Sequence, residues 1–202
     1  MKRPYRLAVA TLIGLAASAA TASAQQGVLK SRSSGFFLGV GLEGNGLSTD
    51  NSGTTTTESG AGGALLLGYG FSPRWSLYTE VSGANMNADG GGTYTLAHFD
   101  VGARVHFRTG PNTVVPFIQF GVSGRGISQD ISGSTYQASG AGVSFGGGLN
   151  AHFTPTVAFS GSVTWSVGNF SSYKVDNQSV AGDPVNATSA RVHLGLVWFP
   201  GA

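Results

Sequence analysis

Within twelve residues, Ala97–Arg108, the chain sets two histidines, an aspartate and two arginines: A-H-F-D-V-G-A-R-V-H-F-R. These residue types bind metals, relay protons or hold anions, and charge is scarce elsewhere, at 10% of the sequence. The spacing argues against one compact site. Under two-residue alternation His98, Asp100, Gly102, Arg104, His106 and Arg108 share one face, while Ala97, Phe99, Val101, Ala103, Val105 and Phe107 share the other. His98 and His106 would then stand about 27 Å apart, at about 3.3 Å per residue, too far to share a metal. What the pattern does support is a network of charges on one face. Glu80, Asp100, Arg104, Arg125 and Arg191 all carry the parity of the small and polar residues around them, as do His98, His106, His152 and His193. Buried charges are costly unless paired, so these five are expected to pair in an interior.

Other motifs weaken in context. Gly39–Gly44 matches G-x-G-x-x-G, but a dinucleotide site needs that turn between a strand and a helix, and an alternating segment surrounds it here. Gly142–Gly146 matches G-x-S-x-G, yet Ser144 falls in mid-segment rather than on a strand-to-helix elbow. Three N-x-[ST] matches at Asn169, Asn177 and Asn186 mark only a polar, exposed stretch. Cysteine is absent, which removes disulfides, thiolate catalysis and cysteine-ligated zinc. No catalytic residue, metal or cofactor is expected.

The elements that carry these residues are strands. Period-2 alternation recurs at about 35–43, 60–71, 74–85, 94–108, 114–127, 140–153, 156–168 and 188–199, with no sustained helical spacing. Long polar connections (44–59, 86–93, 128–139, 169–187) alternate with the tight turns Ser72-Pro73, Thr109–Asn112 and Thr154-Pro155. That rhythm predicts an all-β fold, an eight-stranded antiparallel up-and-down barrel with loops at one end. Upstream, Met1–Arg6 is basic, Leu7–Ala20 apolar, and Ala22-Ser23-Ala24 an A-x-A cleavage site. Residues 1–24 thus read as a cleaved signal peptide and 25–202 as the barrel domain. Cleavage leaves eight Lys and Arg against nine Asp and Glu, which excludes a basic nucleic-acid binder.

Alternation alone does not say which face is inside. One face carries Val, Leu, Ile and aromatic residues; the other carries mostly Gly and Ser with a few charges. A sheet with its polar face in water normally displays Lys, Glu and Thr, yet the whole chain has three lysines. Small residues suit the inside of a narrow barrel instead. Large rings of the apolar faces gather at the tight-turn end: Phe36, Tyr69, Phe71, Trp75, Phe107, Phe153 and Trp198. This is the pattern of an aromatic girdle at headgroup level. The apolar face is therefore expected to meet outer-membrane lipid.

The segments G-F-F-L-G-V-G-L-E, L-L-L-G-Y-G-F-S-P-R-W-S-L-Y-T-E and A-R-V-H-L-G-L-V-W-F resemble eight-stranded outer-membrane β-barrels of the OmpA/OmpX-like, "porin family" type, over about residues 34–199. The resemblance implies a bacterial outer-membrane location and a barrel-assembly machinery that reads a C-terminal aromatic. Here Pro200-Gly201-Ala202 follows Phe199. The motifs that carry the resemblance specify an architecture and not an activity. The signal peptide, the eight-strand alternation, the filled interior and the polar loops point to a non-enzymatic protein whose exposed loops engage an extracellular or host surface ligand, in adhesion or envelope integrity. A narrow channel for small or hydrophobic solutes is the alternative. Lipid A-modifying activity is disfavoured, because no H-x-S pair occurs and no histidine falls on the lipid face.

Overall fold

In the computed structural model, residues 34–51, 54–107 and 113–200 are described. The expected signal peptide, Arg108 and the expected turn at 109–112 lie outside them. The described chain forms β1 (Gly35–Asn51), β2 (Thr54–Gly70), β3 (Trp75–Asn87), β4 (Thr93–His106), β5 (Val114–Ile131), β6 (Ser134–His152), β7 (Val157–Val175), β8 (Gln178–Val180) and β9 (Val185–Trp198). Each long strand pairs antiparallel with its neighbours in the order β6-β5-β4-β3-β2-β1-β9-β7, and β6 pairs with β7 to close the ring. The result is an eight-stranded barrel, and β8 is a short ribbon paired to β7 alone. Closure satisfies the backbone without an open edge, as strands crossing a bilayer require.

Two of the tight turns are built alike. The Ser72 hydroxyl accepts the Trp75 N–H at 3.0 Å, and the Thr154 hydroxyl accepts the Val157 N–H at 2.9 Å. Both precede a proline, which donates nothing itself and sets its own φ.

At the other end the strands run well past the expected boundaries. β1 continues to Asn51 rather than 43, β2 begins at Thr54 rather than 60, and β5 and β6 meet across Ser132-Gly133. Ser132 (φ 52°) and Gly133 (φ 90°) both have positive φ, as do Asp176 (φ 50°) and Asn177 (φ 65°) between β7 and β8. Positive φ at both central residues matches the twist of a two-residue hairpin. The long polar connections read from the sequence are therefore mostly paired strand, forming a crown that rises above the apolar band.

The reason lies in the phase of alternation. Along the band, apolar side chains face outward: Leu42 is 76% exposed, Leu65 63% and Val122 62%. In the crown Leu47, Met86, Leu96 and Phe170 face inward instead and are all buried, while Ile131, Tyr136 and Val180 stay exposed toward its tips. The same strands thus carry a membrane pattern below and a water-soluble pattern above. A search for one continuous apolar face stops where the phase changes.

Candidate functional site

The register sets the charged residues of the inner face in successive inward rows of β3–β5. Glu80 lies opposite Asp100, Arg104 opposite Gln119, and His98 opposite Arg125. Arg191 enters from β9, on the far side of the ring from β4. Its Nη2 sits 2.7 Å from Asp100 Oδ2, and its Nη1 lies 3.5 Å from Glu80 Oε1 and 4.0 Å from Glu43 Oε2. Arg191 is 1% exposed. One guanidinium therefore serves three carboxylates, and its planar fork of five donors suits that geometry better than a lysine would.

Arg104 extends the network. Its Nη2 is 3.7 Å from Glu80 Oε2, and its Nε donates to Gln119 Oε1 at 2.8 Å. Gln119 passes the contact on, donating to Thr164 Oγ1 at 2.7 Å. The guanidinium is held between the rings of Tyr78 and Phe117, each centroid 4.7 Å away. Arg125 stands apart from the carboxylates: it donates to the Ala187 carbonyl at 2.9 Å and lies 5.9 Å from the Phe170 ring.

Glu43 and Asn45 are members that sequence reasoning missed. Both are buried, and Asn45 Nδ2 donates to Glu43 Oε1 at 2.7 Å. The signal was present: Glu43 ends the expected 35–43 strand with the inward parity of Gly39 and Gly41, and Asn45 continues that parity beyond it. Three carboxylates and three guanidiniums thus share the lumen. Glycines facing inward make room for the larger groups. A Cβ at Gly41 would fall 2.7 Å from the His193 ring, and one at Gly68 would fall on the Phe37 ring.

Two apolar layers bound this polar level. Leu47, Ala84, Met86, Tyr94, Leu96, Phe170 and Ala187 pack together on the crown side. Phe37, Leu66, Tyr78, Ala158, Val197 and Phe199 pack together on the tight-turn side, with the Phe37 and Phe199 centroids 5.6 Å apart. Phe199 therefore points into the barrel, whereas Trp198 points out. All four histidines are buried within the ring, and among the described residues no group of three His, Asp or Glu converges as a metal site. Ser144 is buried in mid-strand, away from any turn.

Outside the barrel, Phe36, Tyr69, Phe71, Trp75, Phe107, Phe153 and Trp198 are all exposed at the tight-turn end. At the opposite end the charge is one-sided. Asp50, Glu58, Asp89, Asp130, Asp176 and Asp183 belong to the crown, against Lys174 as the one cation among the described residues there. Glu58 ties the crown across strands, accepting the Tyr94 hydroxyl and, at 3.0 Å, the Asp89 N–H.

Known folds match this architecture. Neisserial surface protein A superposes with a TM-score of 0.63 at 16% identity, covering 82% of this chain and 97% of its own. The outer membrane protein OprG of Pseudomonas aeruginosa gives 0.55 at 11% identity, covering 83% and 97%. Ail, the attachment invasion locus protein of Yersinia pestis, gives 0.51 at 15%, covering 82% and 99%. Among curated proteins none matches the sequence. The sequence pattern of the family described as outer membrane protein beta-barrel domain matches residues 7–196. That match spans most of the chain and agrees with the closed eight-stranded ring and its apolar outer band, and the chain belongs to the outer membrane protein beta-barrel domain family, in the bacterial outer membrane.

Proposed function

We propose that this barrel is a non-enzymatic surface-interaction protein: the membrane band is its anchor and the crown its working face. The observation that carries the reading is the crown's own buried core. Loose loops would need no such core, whereas Leu47, Met86, Leu96 and Phe170 make the raised strands a folded platform. The excess of six carboxylates over one lysine selects the partner's chemistry. An acidic face steers cationic proteins toward it and repels polyanions, an effect that fades with salt.

The direct test places the protein in nanodiscs and measures binding to a basic protein and to heparin. A salt-sensitive response to the basic protein, lost when Asp130, Asp176 and Asp183 are changed to Asn, supports the reading. Heparin binding of equal strength, or no response to either probe, overturns it. The channel alternative has to pass two apolar layers and a closed charge layer, so planar bilayers containing the protein are expected to stay silent.

A further inference from the structure

On the outer surface of β4–β7 the side chains change character row by row. A valine row, Val101, Val122, Val143 and Val167, lies in register within the apolar band. Two rows further toward the crown comes Ala97, Gly126, Ser139 and Ser172, and then Thr95, Ser128, Gln137 and Lys174. The last two rows line a surface groove of about 270 Å³. Its depth comes from what is missing at Gly126 and Ala97. Nothing in the backbone requires glycine there: a Cβ at Gly126 would meet no atom nearer than 3.9 Å, the Ala138 carbonyl. Many inward glycines differ, since a Cβ at Gly142 would strike the Val167 carbonyl.

We propose that this groove holds the phosphorylated sugar headgroup of an outer-leaflet glycolipid. Three observations converge. A single outward row, Phe99, Gly124, Ala141 and Asn169, separates the groove from the lipid-facing valine row, so acyl chains and headgroup can be met by one face of the barrel. Among the described residues Lys174 is the one outward-facing cation of an otherwise acidic crown, it makes no ion pair there, and it lies at this boundary. Around it stand the hydroxyls of Thr95, Ser128, Ser139 and Ser172 and the amide of Gln137, groups that donate to phosphate and exchange bonds with sugar hydroxyls. A free phosphate would gain nothing from the apolar rows below, and this commits the site to the lipid. The inference rests on the membrane location and not on the crown's partner.

The test is native mass spectrometry of the folded, full-length barrel released from micelles after titration with purified rough lipopolysaccharide. Its arms are the same glycolipid with phosphates removed, phosphatidylcholine, and inorganic phosphate as competitor. One lipopolysaccharide per barrel is expected, with retention weakened about tenfold, or about 1.4 kcal/mol, by Lys174→Glu, by Gly126→Leu and by dephosphorylation. Inorganic phosphate should not compete. Gel mobility before and after heating confirms that each variant is folded, and Gly126→Ala, which leaves most of the groove open, serves as the milder variant. Equal retention by wild type, Lys174→Glu and Gly126→Leu overturns the proposal, as does displacement by inorganic phosphate or equal retention of phosphatidylcholine.

Discussion

Arg191 Nη2 reaches Asp100 Oδ2 at 2.7 Å across the lumen, joining two strands, β9 and β4, that are four positions apart in a ring of eight. An ion pair between adjacent strands would tie a hairpin already tied by backbone bonds. This one ties opposite walls. Replacing Arg191 with Met leaves Asp100, Glu80 and Glu43 without their shared cation, and a broken buried pair typically costs about 3–5 kcal/mol. Urea unfolding in lipid vesicles, followed by tryptophan emission, should show that loss. Adding Asp100→Asn to Arg191→Met should recover part of it, because one uncompensated charge is removed. A single variant as stable as wild type would falsify the role assigned to Arg191.

The crown core makes a separable prediction. Leu47 is 1% exposed above the band. Leu47→Ala should cost about 2–5 kcal/mol, the range for a buried leucine truncated in a packed interior. The loss should be local: protease cuts in the β1–β2 arm should appear in intact vesicles, while the heat-dependent gel mobility of the barrel persists. If the arm resists protease as wild type does, the crown does not depend on this core.

Two neighbouring glycines should respond oppositely. Gly62 faces inward, and a Cβ there would lie 1.8 Å from the Gly83 carbonyl, a collision with backbone that no rotamer relieves. Gly83 faces outward, where a Cβ would meet nothing within 4 Å. Gly62→Ala should lower refolding yield sharply, whereas Gly83→Ala should be neutral or slightly stabilising, since strand glycine weakens pairing. Refolding into vesicles, scored by gel mobility, compares the two directly.

The aromatic set at the tight-turn end is proposed as a girdle. Trp75 and Trp198 belong to it, while Trp165 stacks on Phe145 elsewhere on the outer face, with centroids 5.9 Å apart. In vesicles, variants retaining only Trp75 or only Trp198 should be quenched most by lipids brominated near the headgroup. The variant retaining only Trp165 should respond more to bromine deeper in the chains. Equal depth profiles for all three would remove the girdle.

How much of this was legible depended on whether a rule stayed constant along a strand. From Trp75 to Val81 one parity holds, and the outward and inward faces could both be read from it, whereas the choice of Asp100 over His98 as the residue opposite Glu80 needed the register. At Glu43 the rule was still valid, but the Gly, Ser, Thr and Asn residues that follow carry weak side-chain contrast. The strand was therefore closed before Asn45 and Leu47. Beyond that point the apolar residues change sides, and a pattern that means lipid below means core above. Register was recoverable only approximately, because the Gly140–Ser139 irregularity in β6 against β7 leaves no trace in composition. The convergence of three carboxylates on Arg191 needs the closed ring, and local spacing does not contain it.

The crown's buried Leu47 also limits how the arms can change length. Side chains alternate strictly, so inserting one residue in β1 above the band would turn Leu47 out and Ser48 in. Inserting two keeps every later residue on its side and raises the arm by about 7 Å. Variants of this barrel that keep a packed crown should therefore differ in arm height by whole steps, two residues in each of two paired strands. Odd-numbered changes would be confined to the hairpin tips.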